Sequence, residues 1–194
     1  MAVYSDDFSG TLANWTQDVG TWSIVSGTLR SNTGGYHKIR YTSPMDGQAH
    51  WSQATISSNN TGVGPGVFAR GTVGSANTFY GYVFFESDSS YMVEITAGAE
   101  TILATGGGYT FSAVVARITA DGSALTGTRG GSADISTTDS SLTGLGVGVM
   151  AYNGLNSSNE YADNWSAEDI GGGGGPTTRV RDMITSDGIV AFRR

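Results

Sequence analysis

Turn chemistry punctuates this chain about every 8 to 12 residues, and no apolar helical stripe survives between the turns. The segments SDSS, TAGAE, ADGS, TTDSS and NGLNSSN are built from Gly, Ser, Asn and Asp, which form tight turns or bond their own backbone. Thirty glycines interrupt every stretch where apolar residues could recur at helical spacing, so long helices are not expected. Twelve short strand candidates remain. They fall at 21–25, 27–31, 37–42, 50–57, 64–71, 79–87, 90–97, 101–106, 111–120, 124–130, 144–152 and 159–170. Many short strands with regular turns predict an all-β, antiparallel β-sandwich spanning residues 1–170.

Some strands alternate cleanly. In SYMVEITA, Tyr91, Val93 and Ile95 share one face, and Met92 and Glu94 the other. FYGYVFFES does not alternate, which predicts one core face and one face with exposed or groove-lining tyrosine. Trp15, Trp22, Trp51 and Trp165 are expected to anchor the core, and His37 and His50 to be exposed strand residues.

The chain changes character after Ile170. Residues 171–176, five glycines and Pro176, form a flexible linker, and residues 177–194 carry Val180, Met183, Ile184, Ile189, Val190 and Phe192. Six bulky apolar residues in a segment of eighteen are too many for a solvated tail and too few to fold alone. Asp187-Gly188 marks a turn within the segment. With Arg179 and Arg181, these apolar residues are expected to form an assembly anchor on another subunit. The tail is net +2 and the rest of the chain net −9, giving −7 overall, so its arginines suit an acidic partner. A Lys-poor acidic domain argues against nucleic acid. No apolar run is long enough for membrane insertion. The absence of cysteine excludes disulfides and thiolate metal sites. MAVYSDDFSG has neither a basic start nor an apolar run, so it does not read as a signal peptide, and synthesis in the cytoplasm is expected.

The opening DDFSGTLANWTQDVGTWSIVSGTLRS, the middle VFARG, FYGYVFFE and ITADGSALTGTRGG, and the close GLGVGVMAYNG…YADNWSAEDI together resemble a concanavalin A-like (laminin G-like) jelly-roll domain over about residues 4–170. That resemblance implies a jelly roll, a fold that serves lectins, hydrolases and adhesion modules alike. With the linker and tail, the chain also resembles laminin G-like proteins of bacteriophage tails and capsids. This implies a non-enzymatic virion protein, a minor tail or head-decoration component. It would be anchored to other virion subunits through 177–194, be multimeric in the assembly, and display its sandwich for weak multivalent attachment to host-surface glycans. The alternatives are a glycan hydrolase or its accessory binding module, and a mechanical particle-stabilising protein.

Candidate chemistry follows from residue types. Sugars are held by stacked rings and by Asn, Asp and Arg at their hydroxyls, which nominates Arg70, Tyr80, Tyr82, Tyr36 and Asn153 as glycan-binding residues. Sheet aromatics also pack in cores, the competing assignment for these tyrosines. Hydrolysis needs paired carboxylates. Glu86 and Asp88 share strand parity, but Asp88 opens a turn and no third acid follows, so catalysis is not expected. No cofactor is required. The one metal the pattern leaves open is a structural calcium at Asp6, Asp7 and Asp163, brought together if the first and last strands adjoin; otherwise these acids cap turns.

Overall fold

The structure, a computed structural model, describes residues 1–32, 34–57, 62–73, 77–85, 89–108, 113–156 and 160–171. Among these, fifteen strands and no helix are found. In chain order the first eight are β1 (Val3–Asp6), β2 (Trp15–Val19), β3 (Trp22–Val25), β4 (Thr28–Ser31), β5 (Tyr36–Tyr41), β6 (His50–Ser57), β7 (Gly64–Gly71) and β8 (Phe79–Phe84). The remainder are β9 (Ser89–Thr96), β10 (Ala99–Gly108), β11 (Val114–Asp121), β12 (Ala124–Arg129), β13 (Ser132–Thr138), β14 (Gly146–Tyr152) and β15 (Tyr161–Asp169).

These strands form the expected sandwich of two antiparallel sheets. One sheet has eight strands in the order β13-β12-β11-β6-β15-β4-β3, with β1 paired on β15. The other has seven, β10-β9-β8-β7-β14-β5-β2. The expected segment 177–194 and the linker from residue 172 onward lie outside the described residues, as do Glu86 and Asp88.

Alternation decides which side chains enter the core. In β6, His50, Ser52, Ala54 and Ile56 point inward, and Trp51, Gln53, Thr55 and Ser57 outward. They meet Val67, Ala69, Tyr80, Tyr82, Met92 and Val149 of the other sheet in one apolar core. Trp15, Trp22 and Trp165 belong to this core, as expected. Trp51 does not. It faces outward on the eight-stranded sheet, where the Arg117 guanidinium lies 4.2 Å from its ring centre and bonds Gln53.

The histidines also differ from expectation, since both are buried. His50 bonds the Gly47 carbonyl through Nδ1 (2.8 Å) and accepts the Arg70 N–H at Nε2 (3.1 Å). That pattern requires the neutral ring, and burial together with nearby Arg70 holds its pKa below the usual imidazole value.

The first and last strands do lie side by side, with Asp6 opposite Trp165. Asp169, at the end of β15, accepts the N–H groups of Ala2, Asp46 and Gly47 and closes this seam.

Candidate functional site

The seven-stranded sheet is apolar on both faces, and its second face carries the candidate site. β7 and β8 are buried at every position, because their outward residues join a second cluster of Phe68, Phe79, Val83, Val93, Ile95 and Met150. Glycines make this cluster flat. A side chain at Gly81 would collide with Met150 Sδ and Val93, and a Cβ at Gly148 would lie 2.9 Å from the Phe68 ring. The large residues therefore lie down over their glycine neighbours and form a smooth floor.

The face is concave. Tyr36 on β5 donates its hydroxyl to Glu100 on β10, and five strand intervals separate β5 from β10. In a flat sheet that separation would be about 24 Å at roughly 4.8 Å per interval. A tyrosine and a glutamate cannot bridge it, so the sheet twists and curls, bringing Tyr36 and the diagonally opposite Glu100 together over a concave face.

Four half-buried rings line one end of the groove. Tyr36 and Tyr152 have ring centres 5.0 Å apart, Tyr152 and Phe85 5.5 Å, and Phe85 and Tyr91 5.7 Å. The row crosses from β5 through β14 to β9. It is continuous because β7 contributes Gly64 beneath it: a Cβ there would lie 2.9 Å from the Phe85 ring, so any side chain would push Phe85 away. Tyr36, Phe85 and Tyr91 rest on the buried floor, which fixes their orientation.

Beside the floor sits a buried charge cluster. Asp18 Oδ2 lies 3.1 Å from both Lys38 Nζ and Arg40 Nε. Lys38 Nζ also lies 5.6 Å and 5.7 Å from the ring centres of Phe68 and Phe79. Burial lowers the Lys38 pKa, with Asp18 opposing the shift. This cluster braces β2 against β5; its cations are sealed and committed to Asp18 and backbone carbonyls.

The sequence-nominated glycan residues divide. Tyr36 lies in the groove wall. Asn153 sits beside Tyr152 and spends its side chain on the turn, accepting from Gly35 N (3.3 Å) and donating to Gly62 O (2.8 Å). Tyr80 and Tyr82 face the opposite way, into the core between the sheets, and are fully buried. Tyr82 donates to Asp134 (2.7 Å) and Tyr80 to Asp139; burial, then the carboxylates, raise both phenol pKa values. Arg70 is 2 % exposed, at a bulge with φ 50°, and its guanidinium bonds the carbonyls of Gln48 and Gly122. These three therefore share no groove with Tyr36. The expectation failed because β7 and β8 are buried on both faces, which hides the sign of the alternation.

The acids nominated for calcium are engaged locally. Asp6 accepts from Phe8 N (2.7 Å) and Trp15 Nε1 (2.8 Å), Asp7 from Ser9 N, and Asp163 from Asn164 N. The Ser9 contacts hold the Asp7 pKa down. Asp6 and Asp7 border an open polar cleft of about 680 Å³ with Asn14, Asn164 and Ser166, but Asp163 does not line it. No group of three or more His, Cys, Asp or Glu suited to a metal ion occurs among the described residues.

No family model matches the chain, and no curated protein matches it. Solved structures do. The carbohydrate-binding module CBM66 from Bacillus subtilis superposes with a TM-score of 0.62 at 15 % identity, over 81 % of this chain and 93 % of that one. A β-1,3-1,4-glucanase (lichenase) derived from a mouse hindgut metagenome gives 0.59 at 12 % identity, over 87 % and 99 %. A Bacillus subtilis protein of unknown function with a galectin-like fold gives 0.61 at 8 % identity, over 86 % and 94 %. Together with the two-sheet topology, these similarities establish an antiparallel jelly-roll β-sandwich fold.

Proposed function

We propose that this chain is a non-catalytic glycan-binding module whose site is the concave groove of the seven-stranded sheet. The observation that carries the reading is the row Tyr36, Tyr152, Phe85 and Tyr91, half-exposed and held on a rigid apolar floor. Aromatic faces stack on the C–H faces of sugars, and a preset row loses little entropy on binding. Fold similarity to a carbohydrate-binding module and to glucanases supports a sugar ligand. Among the described residues, the state of the acids near this face supports binding over hydrolysis. Glu100 is held by Tyr36 and Asp18 is buried against Lys38 and Arg40, whereas retaining hydrolysis needs two available carboxylates about 5 Å apart.

We further infer that the module is displayed on a phage particle through residues 177–194. The glycine linker and the apolar, arginine-flanked tail support this reading.

The test is affinity electrophoresis in gels containing lichenan, laminarin or levan. Tyr152→Ala and Phe85→Ala should each weaken retardation by about fivefold or more, from loss of stacking worth roughly 1 kcal/mol. Full retention by the folded double variant would refute the groove site. Release of reducing ends from any of these polymers would refute the non-catalytic assignment. Deleting 171–194 should leave sugar binding intact and abolish particle incorporation; a truncated chain that still incorporates would remove the anchor.

A further inference from the structure

Tyr36 occupies two roles that conflict. Its ring belongs to the aromatic row, yet its hydroxyl is tied to Glu100 on the far wall, so the side chain crosses the groove it helps to line. We propose that the Tyr36–Glu100 contact is a latch that a bound glycan replaces, and that Glu100 selects neutral, hydroxyl-rich sugars. This rests on the groove being the glycan site.

Three observations carry it. The contact links the edge strand β10 to β5 across four intervening strands, so it belongs to no ladder and can break without unpairing the sheet. The Ala99 end of β10, which carries Glu100, is suited to move, because it is exposed and the register of β10 with β9 breaks twice, between Ile102 and Ala104 and between Thr105 and Gly108. Asp134 and Arg129 hold the Gly108 end. Finally, Glu100 is an exposed acid at the groove among the described residues, in a domain of net charge −9 before the tail. A carboxylate accepts hydrogen bonds only, so once Tyr36 leaves it requires a donor, and a sugar hydroxyl supplies one. A uronate or sulfate offers like charge instead and is repelled. The nearby cations do not reverse this preference, since Lys38 and Arg40 are buried and held by Asp18.

The experiment compares wild type, Tyr36→Phe and Tyr36→Phe/Glu100→Gln. Binding is read by affinity electrophoresis on lichenan, laminarin, levan and polygalacturonate. The latch itself is read without ligand, by backbone amide exchange over Ala99–Gly108. Tyr36→Phe should speed that exchange and tighten binding to a neutral polymer about fivefold, the scale of one exposed charged hydrogen bond. Adding Glu100→Gln should weaken neutral binding by at least fivefold relative to Tyr36→Phe and admit polygalacturonate. Unchanged exchange, or equal or weaker binding by Tyr36→Phe, overturns the latch while leaving the groove assignment standing. Equal binding by the single and double variants overturns the role of Glu100. Faster exchange with no polysaccharide bound by any of the three proteins overturns the groove reading, and the selectivity with it.

Discussion

Asp134 is the side chain whose removal should most weaken the sandwich. It sits on β13 at one edge of the eight-stranded sheet and reaches across to three strands of the other. Its carboxylate accepts the Tyr82 hydroxyl (2.7 Å), the Ser90 hydroxyl and the Gly107 N–H (3.4 Å), and pairs with Arg129 (3.2 Å). Asp134→Ala would leave the fully buried Tyr82 phenol and the buried Ser90 hydroxyl without this acceptor. Hydrogen bonds to a charged group contribute about 1.5–3 kcal/mol each, and stranded buried donors about 1–3, with strong overlap within one network. The expected loss is therefore about 4 kcal/mol, a large part of the roughly 5–15 kcal/mol that holds a domain of this size. Tyr82→Phe alone should cost about 1.5 kcal/mol, and should cost almost nothing further once Asp134 is gone, a coupling of about 1–2 kcal/mol.

Urea unfolding followed by fluorescence of the buried tryptophans measures all three variants. A loss below about 1 kcal/mol for Asp134→Ala, or additive losses in the double variant, would refute the clasp. An acid limb gives a second check. Burial alone would raise the Asp134 pKa, but Ser90, Tyr82 and Arg129 together hold it below the usual carboxylate value. The stability it contributes is thus complete above the unfolded-state value and lost as pH falls through the lower native one. Asp134→Asn should flatten that decline.

Gly148→Ala should destabilise the fold by about 3 kcal/mol, because its Cβ would strike the Ile39 carbonyl and crowd Phe68, whereas Gly10→Ala, with open space around it, should change stability by less than about 0.5 kcal/mol. Thermal unfolding of the two variants decides this, and equal melting temperatures would show the floor to be loose. Neutral His50 gives a pH response of its own. Its native pKa is depressed, so its contribution is full above the unfolded-state value near 6.5 and is lost as pH falls from there through the native value. His50→Gln should lack that slope in melting temperature below pH 6.5, and an unchanged profile would count against the neutral-ring assignment.

β6 and β7 were legible from end to end, since the strand candidates at 50–57 and 64–71 match their bounds, although only β6 alternates in burial. β2 and β13 escaped notice for a physical reason. WTQDV and SADISTT each bury a single apolar side chain, Trp15 and Ile135, so neither shows the apolar alternation that marks a strand. The Tyr80 and Tyr82 misplacement has another origin: a strand buried on both faces carries no polarity difference, so only its register reveals which face is which. The aromatic row was hidden for the same kind of reason. Tyr36, Phe85, Tyr91 and Tyr152 come from four separated segments, and strand order alone places them together. Nothing in the sequence around Lys38 signals that Asp18 pairs with it in the interior.

The place of β15 in the eight-stranded sheet has a mechanical consequence. This last described strand is not an edge: it is bonded to β6 on one side and to β1 and β4 on the other. Tension applied beyond Ile170 would therefore run along the strand and load those ladders in shear, so many hydrogen bonds would have to fail together. A C-terminal edge strand would instead unzip one bond at a time. A domain pulled from this end should therefore resist force well, as the proposed display of the module on a tether would require.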